Sequence, residues 1–438
     1  MHRRREEPEK HTKVWQKEAI IIKESAAYQP AQKLDIMSSK VSGTSGRAKG
    51  KRRTKLLRRY IGRHIVLLLG ILLLIAYYAL RENPELANYV TKNIAQPWHR
   101  IAGKVTSSVP YSLAEWLIVL IIVCIVIYLI IVLIQIIRKK RKLQRLYGAF
   151  ITLLAVAVMA FSGISWLWSI GYYSSTYSEL SGIETRPISV EELKEVTIYF
   201  AVVASSAGEQ VNRDENGLYT CDTQQIFSDA PELYAKLPRQ FSFMRGREMR
   251  DVSPKPLFFS YIMSHMNFSG VFFPFTGEAN VNVDVVDCFI PSCAAHELSH
   301  QRGVVREQDA NFTAVMVCME SGKPDFTYSG ALLAYIHLAD ALYEASYEDW
   351  VEASYYLSEN VIRDLVANNQ YWAQFNTPVA EVSTNAYDGF LQHQGQELGM
   401  KSYGACVDLL VAYYGDTARA TLLERQTGLE PATISLEG

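Results

Sequence analysis

Three apolar runs constrain this 438-residue chain more than anything else in it. Ile65 to Leu80 is apolar without interruption, Trp116 to Ile137 is broken only by Gln135, and Leu146 to Ile170 carries no charge. At 1.5 Å per residue, about 20 apolar residues cross the ~30 Å hydrocarbon core of a bilayer, and a helix satisfies its own backbone there. A core helix of a soluble domain rarely runs that far without a charge. The first part of the chain is therefore expected to be an α-helical membrane anchor with three transmembrane helices, over residues 61–170, with the lipid bilayer as its partner. The first run begins too far from Met1 for a cleaved signal peptide.

Charge divides the chain at the same place. Through Ile170 there are 28 Lys and Arg against 9 Asp and Glu, a net +19; after it there are 16 against 36, a net −20. Eight Lys or Arg and no acid lie between Arg47 and Arg59, and six more lie between Arg138 and Arg145. Basic residues flank spans on the cytoplasmic side, so both clusters are expected inside and, with three spans, everything after Ile170 outside. The expected location is the cytoplasmic membrane, multi-pass, with the main domain on the extracytoplasmic face. Trp166, Trp168, Tyr172 and Tyr173 would form an aromatic belt at the third exit. Each basic cluster abuts a span and the remainder is acidic, so no nucleic acid partner is expected. Residues 1–60 read as a disordered basic segment and 416–438 as a poorly patterned tail, which leaves 171–415 as the outer domain.

Within that domain, His296-Glu297-Leu298-Ser299-His300 is the stretch that carries chemistry. On a helix, residues four apart share a face, so both imidazoles can reach one metal ion. Glu297 sits about 100° round the helix, where it can take a proton from water at the metal. Zinc suits this donor set: it accepts neutral imidazole nitrogens and keeps an open position for water in catalytic sites. A third ligand is needed. Gly303 can end the helix in the left-handed conformation, and a new helix is expected from near Val305, with Phe312, Val315, Met316 and Met319 on its apolar face. Glu307 and Asn311 share another face of it, Glu307 as a metal ligand and Asn311 as a hydrogen-bond partner for a ligand histidine. Asp309 is the rival third ligand, pointing about 200° away from Glu307.

The rest of the domain reads as mixed, then helical. Ser189 to Leu193 offers a helix start, while Val196 to Val203 fits either a helix or a strand. Val281, Val283 and Val285 alternate with polar residues as in a half-exposed strand, which is either an edge that pairs with extended substrate or an ordinary sheet strand. Leu332 to Glu344, Trp350 to Ala367 and Ser402 to Tyr414 have helical patterning. Tyr403, His337 and His393 are candidates to stabilise a developing oxyanion. Cys288 and Cys293 are near enough in sequence to bridge across Pro291.

The order of three spans, then Pro274-Phe275-Thr276-Gly277-Glu278-Ala279-Asn280-Val281-Asn282, then His296 to Gly303, then Arg306-Glu307 and Ala310-Asn311-Phe312, resembles the bacterial membrane-protein family catalogued as domain of unknown function 3810. Lys401-Ser402-Tyr403-Gly404 and Val407-Asp408-Leu409-Leu410 look like that family too, so the resemblance covers roughly Arg59 to Tyr414. It implies a zinc peptidase. The chain also resembles the wider zincin class, whose third ligand is a glutamate in Glu-x-x-x-Asp/Asn, as from Glu307 to Asn311. Asp309 stands where the family pattern has a second Glu, so either acid can be the ligand at this point.

Together these readings give a membrane anchor followed by a mostly helical α+β, zincin-like metallopeptidase domain. The expected function is zinc-dependent hydrolysis of peptide bonds in peptides or envelope proteins, with His296, His300 and Glu307 on zinc and Glu297 as general base. The alternative is a metal-containing membrane protein that binds or senses a peptide or envelope fragment without turnover. An intramembrane protease is disfavoured, because Gln301, Arg302, Arg306 and Glu307 surround the motif with polar and charged groups.

Overall fold

A computed structural model describes residues 58–138, 141–244, 252–396 and 403–427. The basic segment expected to be disordered lies outside these residues through position 57. From there on the described residues form one compact unit.

Three helices are long and apolar enough to cross a membrane: α1 (Ile61–Leu80), α4 (Leu113–Arg138) and α5 (Lys142–Leu167). They coincide with the three runs. α1 crosses α5 closely because Gly70 presents no side chain; a β-carbon there would come within 2.9 Å of Val158. The Ser162 hydroxyl donates to the Gly70 carbonyl at 2.9 Å and the Trp166 indole to the Leu73 carbonyl at 3.0 Å. Small residues and side-chain donors are the usual adhesive where lipid offers helices no hydrophobic drive. Between α1 and α4 the chain forms α2 (Pro84–Val90), a π-helical turn (Thr91–Ala95) and α3 (Gln96–Thr106).

The main domain is built on α6 (Val190–Gly208), where Val196 to Val203 proves helical. Ser189 and Glu192 close a reciprocal capping box at its start, satisfying two backbone donors. Val196, Phe200, Ala201 and Ala204 are fully buried in it, packed against α11 (Pro324–Ala345) and the last helix, α15 (Tyr403–Thr427). α15 runs on past the end expected at Tyr414. α7 (Thr223–Leu233) and α8 (Ser260–His265) precede and follow a short first strand. The segment read as one helix from Trp350 to Ala367 is two, α12 (Tyr347–Ser354) and α13 (Glu359–Ala373), because Ser358 caps a new helix start by accepting from the Val361 amide. α14 (Pro378–His393) follows.

One three-stranded sheet supports the motif helix. Its order is β1 (Lys255–Pro256), β3 (Glu278–Val281), β2 (Gly270–Phe273), with β1 parallel and β2 antiparallel to β3. The strand expected over Val281 to Val285 therefore ends at Val281 and is central and buried, not a half-exposed edge. Alternation misled here, since Val283 and Val285 belong to the bend that leads into the motif helix. The edge strands are β1 and β2, and β2 is the one that approaches the motif glutamate. Gly277, at φ +66°, turns β2 into β3 while the α3 backbone at Gly103 packs directly on it. Cys288 and Cys293 are free thiols; Cys293 already lies in the helix that follows and donates to the Ser269 carbonyl at 3.1 Å.

Candidate metal centre

The motif forms the second half of α9 (Ile290–Gln301), which packs on β2 and β3. Ser292, Cys293, Ala294 and Ala295 are small enough to let it sit in the middle of the domain, and Pro291 in the first turn costs no hydrogen bond. His296 and His300 fall one turn apart with ring centroids 4.6 Å from each other. Gly303, at φ +94°, ends the helix as expected, and the chain enters α10 (Glu307–Met319), two residues later than expected. Glu307 is its first residue. Its carboxylate Oε2 lies 3.2 Å from His296 Nε2 and 3.5 Å from His300 Nε2.

These separations are those of ligands on one tetrahedral ion, because two bonds of about 2.0–2.1 Å at the tetrahedral angle put donors ~3.3 Å apart. His296, His300 and Glu307 are the group of possible metal donors found among the described residues. The Val304 carbonyl, 2.7 Å from His300 Nδ1, can only accept, so it holds a proton on Nδ1 and directs Nε2 at the cluster. Tyr387, on α14, donates to the other oxygen of Glu307. The Glu307 side chain is 26 % exposed, so the cluster opens to solvent on that side.

Electrostatics fit a site made for a cation. Burial alone would raise Glu307, but His300 and His296 hold it well below the usual carboxylate range. Burial also opposes charge on His300, yet Glu307 and Glu297 push it up to about 9. Burial pushes Glu297 up to about 7, partly opposed by His296 and His300. Glu297 is 4 % exposed and its Oε2 has no hydrogen-bond partner. Gly270 on β2 lies so close to it that a β-carbon would overlap the carboxylate.

The structure separates the two acids. Asp309 is buried away from the cluster, 3.9 Å from Arg306, and burial raises it to about 6. The hydrogen bond that orients His300 comes from Val304 in place of Asn311. Of the oxyanion candidates, His337 is buried beside His296, with burial holding it down at about 4. His393 pairs with the Tyr78 hydroxyl at 2.9 Å, at the end of α1. The Tyr403 side chain lies outside the described residues.

Two contacts had no signal in the sequence. Tyr387 is 80 residues from Glu307, and Trp168, immediately after α5, stacks edge-on against the His300 ring at 5.3 Å.

Residues 90–411 match the family described as "Protein of unknown function (DUF3810)". The chain belongs to that family. The matched region of this DUF3810 member takes in α3, all three strands, the motif helix and Glu307, and so the whole candidate centre. No curated protein and no solved structure matches the chain.

Proposed function

We propose that this chain is a membrane-anchored, zinc-dependent metallopeptidase that hydrolyses peptide bonds outside the cytoplasmic membrane. The observation that carries the reading is the spacing of His296, His300 and Glu307, beside a buried glutamate with an oxygen to spare. Zinc held there would supply Lewis acidity, polarising a scissile carbonyl and acidifying water.

The protein's own groups account for the rest. Glu297 takes a proton from the attacking water as its oxygen bonds to the carbonyl carbon, then passes it to the amine as the C–N bond breaks. A buried carboxyl, whose burial favours the protonated form, can do both. Gly270 lets the backbone of β2 come up to Glu297, and β2 is an edge of the sheet, so an extended polypeptide can add alongside it through backbone hydrogen bonds. Val304 and Tyr387 hold the donors in place. The basic clusters at Arg47–Arg59 and Arg138–Arg145 support the sidedness, with the domain on the outer face.

The test is Glu297→Gln in the full-length zinc-loaded protein. Turnover of a mixed peptide pool should fall by ~10²–10⁴ with zinc retained. Zinc bound equally and no turnover by wild type would favour the binding or sensing alternative.

A further inference from the structure

The membrane helices and the candidate centre meet. α5 ends at Leu167, and the next residue, Trp168, packs on the His300 ring. Phe275, in the turn between β2 and β3, packs against Gly163, one helical turn inside the end of α5; a β-carbon on Gly163 would come within 2.6 Å of its ring. The turn therefore reaches below the level at which that span ends. At the outer end of α4, Glu115 accepts the backbone amides of Phe258 at 2.8 Å and Phe259 at 2.9 Å, and Phe258 is 72 % exposed beside Trp116. A third point lies between the first two spans. α3 buries His99, Gly103 and Thr106 against the domain, while Trp98, Ile101 and Val105 form an exposed apolar stripe, Ile101 and Val105 at 65 % and 67 %. An apolar stripe on a helix whose other face is satisfied by the domain suits the plane of a bilayer surface.

We infer that the centre acts on the stretch of polypeptide immediately outside a bilayer, the juxtamembrane stalk of a membrane-anchored protein, in preference to free peptide. The inference rests on the peptidase reading above. Its substance is depth: β2 and its turn lie at the floor of the domain, and His300 touches the residue that leaves the third span. A stalk rising from the same membrane meets the β2 edge within its first residues. At about 3.3 Å per extended residue, six residues cover ~20 Å, enough to clear a headgroup layer of several ångströms and reach one side-chain layer beyond it. A segment farther out would have to fold back towards the membrane to be cut.

The experiment places the full-length zinc-loaded protein in liposomes with a pool of single-span reporters carrying randomised outer stalks of about 30 residues, long enough to stand well clear of the membrane. Cut positions are mapped by mass spectrometry, with Glu297→Gln as the blank and the free stalk peptides as a parallel pool. Cuts per bond at least ~10-fold more frequent in the first six or so residues than in the outer half, and tethered stalks cut faster than free ones, are expected, since tethering supplies effective concentration only where geometry allows. Cuts spread evenly along the stalk, or free peptides cut equally fast, overturn the juxtamembrane inference and leave the peptidase reading standing. No Glu297-dependent cut in either pool overturns the peptidase reading, and the inference with it.

Discussion

Two glutamates, both buried, sit on neighbouring elements of this protein and are treated in opposite ways. Glu278, at the start of β3, is 2 % exposed and surrounded by donors: Lys255 Nζ at 2.6 Å and the backbone amides of Leu113 at 3.0 Å and Ala114 at 2.7 Å. Lys255 also donates to the Thr106 carbonyl at 2.7 Å. The pair fastens the first turn of α4 to the sheet, with a carboxylate where a helix N-terminus favours one. Glu297, on α9, is 4 % exposed, keeps one oxygen unpartnered and is pushed up to about 7 by burial. A buried carboxylate with its partners supplied holds structure together. One left short of partners is costly, and that cost is what chemistry at the carboxylate would use.

The same isosteric change at the two positions should have opposite consequences. Glu297→Gln should cut turnover by ~10²–10⁴ and leave thermal stability equal or higher, since it removes an under-paired buried acid. Glu278→Gln should do the reverse: it strands the Lys255 charge and lowers stability by ~3–5 kcal/mol, read from denaturant unfolding, with zinc stoichiometry of the folded fraction unchanged. If both changes affect stability alone, the distinction between the two glutamates fails.

Acid should find a weak point between these regions. His99, on α3, packs edge-on against Phe272 of β2 at 4.9 Å, and burial holds it at about 4, below the ordinary 6.5. The unfolded chain then binds more protons between those values, so stability contributed by His99 is present above pH 6.5 and is lost as pH falls towards 4, by up to ~3 kcal/mol. His99→Phe should flatten that part of the stability profile; an unchanged slope would show that His99 is not its source. The smallest effect concerns Tyr387. Tyr387→Phe removes the donor to Glu307 and should weaken zinc binding by ~10–100-fold without unfolding the domain, measured by competition with a chelating dye.

What could be read in the sequence was local. The three long apolar helices followed from apolar runs without charge, the paired imidazoles from a four-residue spacing, and the turn at Gly303 from the one residue free to take a left-handed conformation there. Glu307 lies close enough to the motif for the same helix geometry to suggest it, although only the packed structure separates it from Asp309. Contacts across the fold left no such trace. Tyr387 and Trp168 reach the centre from α14 and from the end of α5, and no period in the chain links them to the motif. The valine alternation after Glu278 suggested an edge because a strand followed by a bend can mimic one long half-exposed strand. Between α1 and α4, one face of α3 supports the sheet and another stays apolar and exposed, a division set by what the helix packs against.

Whether the His296, His300 and Glu307 cluster holds zinc is read from the metal content of the purified full-length protein, measured by elemental analysis beside His296→Ala. About one zinc per chain in the wild type, lost in the variant while the fold persists, is the result predicted from two imidazoles and a carboxylate at these separations. No zinc in folded wild-type protein prepared without chelator and supplied with the ion would contradict it.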